Sequence, residues 1–165
     1  MSALDTSVWL CGPPPSSGQK QRFPSRFLYN LKKAYPITQK TLWMFSGSIQ
    51  ELGDTTDIRP ETGAKFVCPY DDLIAPRNHY DMVIADPPYT VGFSQEFVSS
   101  LRDVPKPKRI LREATKVTVM GGLILILHII IIPAYKEFGV RRIALHPIFC
   151  GPNNSIRVLN VFRRF

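Results

Sequence analysis

The sequence predicts an α/β protein built on one doubly wound, mostly parallel sheet that ends in an antiparallel hairpin. Short apolar runs rich in branched residues alternate with stretches at helical spacing, which is typical of a parallel sheet covered by helices. Towards the end of the chain, runs 143–149 and 156–162 flank the turn residues 150–155 with no helix between them, which indicates a hairpin. A chain of 165 residues suffices for a single domain.

The N-terminal third supplies a helix and the first strand. Residues 1–21 are predicted to be a loop or tail, because 12–18 consist entirely of Gly, Pro and Ser, and the core is predicted to cover 22–165. Apolar residues at 27, 28 and 31 follow a Pro-Ser start and predict a helix. Residues 41–48 form an apolar run that ends in small residues, the pattern of a strand opening into a ligand-binding loop.

The middle of the chain supplies three further strands, at 55–60, 64–68 and 80–85. In nucleotide-binding folds an acid at the end of the second strand grips the ribose hydroxyls, which makes Asp57 a candidate. A helix is predicted at 108–119, ended by Gly121 and Gly122. The apolar run 123–132 is far shorter than the ~18 residues of a membrane span and predicts a central strand, with His128 satisfied by a neighbour rather than acting as a base.

The motif Asp86-Pro87-Pro88-Tyr89 directly follows the apolar run 80–85. Proline fixes its own φ and favours extended geometry before it, so Asp86 and Pro87 are expected to present a rigid pair of acceptors. A carboxylate and a backbone carbonyl can accept both hydrogens of a planar amino group, and Tyr89 can stack on the attached ring. Fixed acceptors that favour the pyramidal amine suit attack by the exocyclic amine of a base.

This motif resembles that of the S-adenosylmethionine-dependent amino-methyltransferases, and the form beginning with Asp is similar to the adenine-modifying DNA enzymes. The resemblance extends over about 22–165 and implies the class I methyltransferase version of the doubly wound sheet, with S-adenosyl-L-methionine as cofactor. The loop after the first strand resembles the family's Phe-x-Gly-x-Gly cofactor loop but lacks its last glycine. The resemblance and the strand pattern together place these residues at the cofactor: Phe23, Pro24, Phe45, Ser46, Gly47, Ser48, Asp57, Ile58, Asp71 and Asp86.

Two departures from the family pattern matter. The segment between Gly47 and Thr55 has no room for a crossover helix, since a whole crossover takes at least ~10 residues, so the helix N-terminus beside the cofactor is expected to be missing here. The chain also has no room for a target-recognition domain. Reading of a DNA sequence by this chain alone is therefore not expected, and the expected protein partner is a second copy of the chain or a separate specificity subunit.

The charge distribution indicates a polyanionic partner. The net charge of +8 divides into +5 for residues 1–50, −5 for 51–90 and +8 for 91–165, so the acids gather where the cofactor residues are predicted. The basic flanks favour nucleic acid, DNA over RNA, and no membrane. Three cysteines in no metal-ligand pattern, with no signal peptide, indicate a cytoplasmic protein. The candidate nucleic-acid contacts are Arg22, Arg26, Lys106, Lys108 and Arg109.

The sequence therefore predicts methyl transfer to an exocyclic amine of a nucleic-acid base, adenine in DNA first, without a metal. Asp86 and the Pro87 carbonyl, stiffened by Pro88, would orient the amine, and Tyr89 would stack on a base flipped out of its duplex. The guanine 2-amino group in RNA and a protein amide are alternative targets. A non-catalytic subunit that binds nucleic acid is the alternative of another class.

Overall fold

Strands that alternate with two helices form the framework of the computed structural model, which describes residues 4–12, 23–90, 104–151 and 156–165. Within these ranges the sheet has eight strands. The strands are β1 (Trp9–Leu10), β2 (Thr41–Met44), β3 (Asp54–Asp57), β4 (Phe66–Val67), β5 (Tyr80–Ala85), β6 (Thr118–His128), β7 (Val140–Phe149) and β8 (Arg157–Arg164). The helices are α1 (Phe27–Ala34) and α2 (Pro107–Val117). None of the helices in these ranges is both long and apolar enough to cross a membrane.

The strand order β1-β7-β8-β6-β5-β2-β3-β4 confirms the predicted doubly wound sheet. Only β8, among the described strands, runs antiparallel to its neighbours, and it forms the predicted hairpin with β7. The chain leaves β2 towards β3 and β4, then returns to the other side of β2 as β5. This reversal is the switch point of the sheet, where ligands bind in folds of this kind.

Both faces of the sheet are covered, as the apolar runs predict. Val83 and Ile124 pack towards α2, whose Ile110 is fully buried. Side chains that alternate with them, such as Ile84, pack towards α1, whose Phe27 is fully buried. Burying a side chain of this size contributes about 1.5–3 kcal/mol, so the two apolar layers fix which residues stand at each strand end.

Gly121 and Gly122 do not end a helix, contrary to the prediction. α2 ends at Val117 and β6 begins at the next residue, so both glycines lie inside the strand. The pairing of β5 with β6 is irregular here, and a Cβ on Gly122 would lie 2.9 Å from the carbonyl oxygen of Asp81. A side chain cannot fit at that distance, so the glycine serves the close approach of two strands.

β1 is a strand that the sequence pattern does not predict. Trp9 and Leu10 pair in parallel with Ile148 and Phe149 at the edge of the sheet. The Trp9 ring is buried and stacks on His146 at 4.7 Å. Two residues are too few to show an alternating pattern, which is why only a loop or tail was predictable. The predicted loop 12–18 and the hairpin turn fall mostly outside the described residues.

Candidate active site

The loops that follow β2 and β5 begin side by side at the switch point. Met44 pairs with Ala85 in the parallel register, so the next residues, Phe45 and Asp86, start the two loops from neighbouring positions. Parallel strands end at the same edge of the sheet, so the predicted cofactor loop and the predicted catalytic motif both start at this edge, where ligands bind in a crevice in folds of this kind. The sequence thus brings the two motifs together through the register of two adjacent strands.

Asp86 and Tyr89 are bonded to each other in this crevice, the Tyr89 hydroxyl donating to Asp86 Oδ1. Asp86 is partly accessible at the surface, but protein atoms surround its carboxyl group. Burial raises the pKa of Asp86 to about 6, against the opposing effects of the Arg157 charge and the Tyr89 hydrogen bond. Asp86 is therefore mostly ionised at pH 7 yet able to take a proton close to that pH. Pro87 is buried and Pro88 is partly buried.

Arg157 and His128 hold the Tyr89 ring from two directions. The guanidinium carbon of Arg157, at the start of β8, lies 5.2 Å from the centroid of the Tyr89 ring. The imidazole of His128, the last residue of β6, meets the same ring edge to face with centroids 5.2 Å apart. Sequence reasoning did not single out Arg157. The available signal was a lone cation at the start of a strand otherwise predicted to be apolar.

His128 is only half satisfied, which differs from the prediction. Its Nδ1 accepts a hydrogen bond from the Ile130 amide at 3.3 Å. Its Nε2 is buried, and no hydrogen-bond partner for it lies within the described ranges. Burial lowers the pKa of His128, so the ring is neutral at pH 7.

The loop after β2 turns sharply without a helix, as predicted. Phe45 and Gly47 have φ of 59° and 51°, in the left-handed region. The Ser46 amide donates to the Thr56 carbonyl of β3 at 3.1 Å, and Ser48 is exposed. Ser46 itself is buried, and its hydroxyl has no hydrogen-bond partner in the part of the chain that is described. A buried hydroxyl left open at a strand end is a polar contact available to a ligand.

Asp57 stands at the end of β3 as predicted, but its carboxylate is fully occupied. Oδ1 accepts from the Arg59 amide at 3.0 Å and from Arg59 Nε at 2.9 Å. Oδ2 accepts from the Gly47 amide at 2.8 Å and from a terminal Arg59 nitrogen at 3.0 Å. Burial opposes ionisation of Asp57, but these bonds outweigh it and hold the pKa below its ordinary value. A carboxylate accepts about four hydrogen bonds, so ribose binding requires Arg59 to withdraw. The neighbouring Ile58 is exposed.

Asp71 lies beyond β4 and forms an ion pair with Arg109 at 3.0 Å. The structure thus joins a predicted cofactor residue to a predicted nucleic-acid contact. Tyr70 links this loop to the crevice, because its ring packs against Phe45 with centroids 5.5 Å apart and its hydroxyl accepts from the Lys106 amide at 3.2 Å. The start of α2 therefore stands beside the loop that follows β4.

The remaining predicted contacts are spread over both faces. Lys108 is exposed and pairs with Glu137 at 2.9 Å. Arg26 is exposed at the start of α1, which covers the opposite face from α2. Phe23 stacks on the Phe27 ring at 4.9 Å and Pro24 is buried, so both anchor α1. Arg22 falls outside the described residues. The described ranges contain no group of three His, Cys, Asp or Glu residues that could hold a metal ion.

Comparisons with known proteins identify the fold. No protein-family model and no curated protein matches this chain. TrmN from Thermus thermophilus aligns with a TM-score of 0.54 and 12% identity over 83% of this chain, which spans about half of TrmN (48%). A SAM-dependent methyltransferase from Aquifex aeolicus aligns with a TM-score of 0.53 and 12% identity, over 86% of this chain and 94% of that one. The tRNA (m1A58) methyltransferase TrmI from Aquifex aeolicus aligns with a TM-score of 0.50 and 12% identity, over 91% and 73%. The chain thus has the predicted class I methyltransferase fold.

Proposed function

We propose that this protein transfers a methyl group from S-adenosyl-L-methionine to the exocyclic amine of a nucleic-acid base, adenine in DNA being the first substrate to test. The observation that carries the proposal is the Asp86 carboxylate at the switch point, desolvated and close to the cofactor loop. A buried carboxylate with a raised pKa in a crevice is typical of a group that binds or moves a proton.

Asp86 and Pro87 would hold the amine. The Asp86 carboxylate and the Pro87 carbonyl accept its two hydrogens, which favours the pyramidal nitrogen that can attack. Because the pKa of Asp86 is about 6, its carboxylate can also accept the proton that the nitrogen releases after transfer. A group with a pKa near the working pH is suited to both tasks.

Before the substrate binds, Tyr89 is hydrogen-bonded to the Asp86 carboxylate. Its hydroxyl already donates to the oxygen that the amine would use, so the ring must turn away before the amine can bind. Once it has turned away, the ring can stack on the base, and Arg157 and His128, which contact the ring in this structure, are left beside the space that the base enters. The contact keeps the carboxylate of the resting protein hydrogen-bonded.

The residues of the crevice fit the cofactor on condition that Arg59 withdraws from the Asp57 carboxylate. When bound, S-adenosylmethionine supplies a methyl group on a sulfonium sulfur, and the carbon–sulfur bond breaks as the amine nitrogen forms its new bond. The 45–48 loop, with the open Ser46 hydroxyl, would contact the cofactor, and Asp57 with Ile58 would contact its ribose after Arg59 withdraws. Asp71 would contact its adenine ring. The excess of acids in 51–90 tolerates a cationic cofactor.

Nucleic acid as substrate is supported by charge and position. The chain has a net charge of +8, and exposed Lys106 and Arg109 lie at the start of α2, beside the loop after β4. Phosphates can be held there by charge without reading of the base sequence. RNA is the second candidate, because TrmI, a protein of the same fold, is a tRNA methyltransferase.

The test is a transfer assay with radiolabelled S-adenosylmethionine on DNA and on RNA, with mass spectrometry of the nucleosides to identify the methylated base. Asp86→Asn is expected to lose at least about 100-fold in transfer, the scale for removing one fixed polar group that stabilises a transition state. Isothermal titration is expected to show that the variant still binds the cofactor.

The matched control is Asp81→Asn, which makes the same change at an exposed position on β5, away from the crevice. It is expected to keep full transfer. If the wild-type protein binds the cofactor but methylates neither nucleic acid, the proposed substrate is wrong. If it binds nucleic acid but no cofactor, the protein is the non-catalytic subunit instead.

A further inference from the structure

A buried hydrogen-bond donor without a partner stands at the edge of the proposed amine site. His128 is 5% exposed, and Ile130 donates to its Nδ1, which assigns the ring proton to Nε2. Within the described ranges Nε2 meets no acceptor. Leaving such a donor unpaired costs about 1–3 kcal/mol of folding free energy, so an unpaired buried donor indicates a bound ligand or a functional role.

The tautomer of His128 is fixed by a rigid support. The fully buried Asn160 on β8 accepts from the Ile132 amide at 2.8 Å and donates to the Ile130 carbonyl at 3.1 Å. These two bonds hold the segment that follows β6, and with it the Ile130 amide, against Nδ1. Since Nδ1 is kept as the acceptor, Nε2 is kept as the donor.

His128 and Asp86 approach Tyr89 from different sides. The Tyr89 hydroxyl contacts Asp86, while its ring lies 5.2 Å from the imidazole centroid. The register of Ala85 with Ile126 also brings the start of the motif beside the end of β6. A planar base whose amine replaces the Tyr89 hydroxyl on Asp86 would enter the space that the Tyr89 ring fills in this structure, and that space lies beside His128.

We infer that His128 is a substrate-recognition residue, whose Nε2–H donates to a ring nitrogen beside the target amine. This inference rests on the proposed function and deepens it by favouring adenine. The 6-amino group of adenine has acceptors on both sides, N1 and N7, whereas the 2-amino group of guanine has an N–H donor on one side. A fixed donor therefore pairs with adenine whichever edge of the base faces it, but with guanine only when N3 faces it, because the other edge carries an N–H.

The experiment combines variants of His128 with adenine analogues in single-stranded DNA. His128→Phe keeps a ring against Tyr89 but removes the donor, and His128→Gln restores an N–H near the position of Nε2. His79→Phe makes the same change at an exposed site just before β5, at the far end of that strand, and serves as the control. Cofactor titration and thermal unfolding confirm that each variant is folded.

On adenine, His128→Phe is expected to lose about 10- to 100-fold in transfer, the scale of one unsatisfied hydrogen bond, with partial recovery in His128→Gln. Either 1-deazaadenine or 7-deazaadenine is expected to lower wild-type transfer by a similar factor. On that analogue His128→Phe should cause no further loss, because the acceptor is already gone.

An equal loss in His128→Phe on all three bases would overturn the inference, since it would mean that His128 acts only by holding Tyr89. Unchanged transfer in His128→Phe would overturn it as well. The same combinations of His128 variants and base analogues are also measured by fluorescence anisotropy of DNA binding, which does not require methyl transfer. If binding shows the coupling while the wild-type protein methylates nothing, the recognition role stands and the proposed activity fails.

Discussion

Replacing Asp86 with asparagine is expected to change how the stability of the fold depends on pH. Burial raises the pKa of Asp86 from 3.8 to about 6, so the folded protein holds this proton over a pH range in which the unfolded chain has released it. Asparagine imitates the protonated carboxyl group and has no such proton to lose. The difference in stability between variant and wild type therefore isolates this one group.

The sign and size follow from linkage. Below pH 3.8 both folded and unfolded Asp86 are protonated, and the full stabilisation is present; it is lost as pH rises through the folded value of about 6. The whole interval corresponds to about 3 kcal/mol at about 1.36 kcal/mol per pH unit. Between pH 4 and pH 8 the asparagine variant should gain about 2 kcal/mol in its free energy of unfolding relative to wild type, almost all of it below pH 7.

The assay is urea unfolding of both proteins at each half pH unit from 4 to 8, followed by circular dichroism. Asp81→Asn controls for the loss of one carboxylate, because it makes the same change at an exposed position on β5. A difference between Asp86→Asn and wild type that does not change with pH would show that the Asp86 carboxyl is not desolvated in the folded protein. The reasoning about its proton transfer would then fail too.

Three further outcomes are expected. Methyl transfer should rise through a midpoint near pH 6 as Asp86 ionises, and Arg157→Gln should move that midpoint upward in a rate-against-pH profile, an unchanged midpoint refuting the charge effect. Arg59→Met, which leaves the Asp57 carboxylate buried without its guanidinium, should lower the free energy of unfolding in urea by about 3 kcal/mol, and a loss under 1 kcal/mol would contradict the pairing. Log affinity for unrelated duplexes should fall linearly with log salt, at a slope of about −0.9 per phosphate neutralised, and strong preference for one duplex would oppose binding by charge.

The apolar pattern was sufficient to predict the central part of the sheet. The run 80–85 coincides with β5, because a strand buried on both faces contains little else than apolar residues. The end of this run therefore predicts that Asp86 lies at the carboxyl end of β5. The edge strand β1 was not predictable, since its stability comes from the register with β7 and from the Trp9 contact rather than from its own sequence.

The residues of the candidate site also divide into those that the sequence predicts and those that it does not. The motif residues are contiguous in sequence and could be found there, but His128 and Arg157 reach Tyr89 from strands that pairing alone brings together. The pairing of Asp57 with Arg59 has a local signal in the sequence. Residues two apart at a strand end point to the same side, so an arginine at that spacing is a natural partner for the acid.

The pairing of β1 with β7 joins Trp9 to Ile148, 139 positions further along the chain, and this separation constrains the order of folding. The Ser7 hydroxyl meets Nδ1 of His146 across a separation of 139 residues, so its neighbourhood cannot form while the nascent chain is still short. Contacts of such high sequence separation form slowly because loop closure comes first. During synthesis Trp9 therefore stays exposed to solvent until β7, with which its strand pairs, has left the ribosome. We therefore expect the early intermediates to expose this segment, and protection of its amides from hydrogen exchange to appear last.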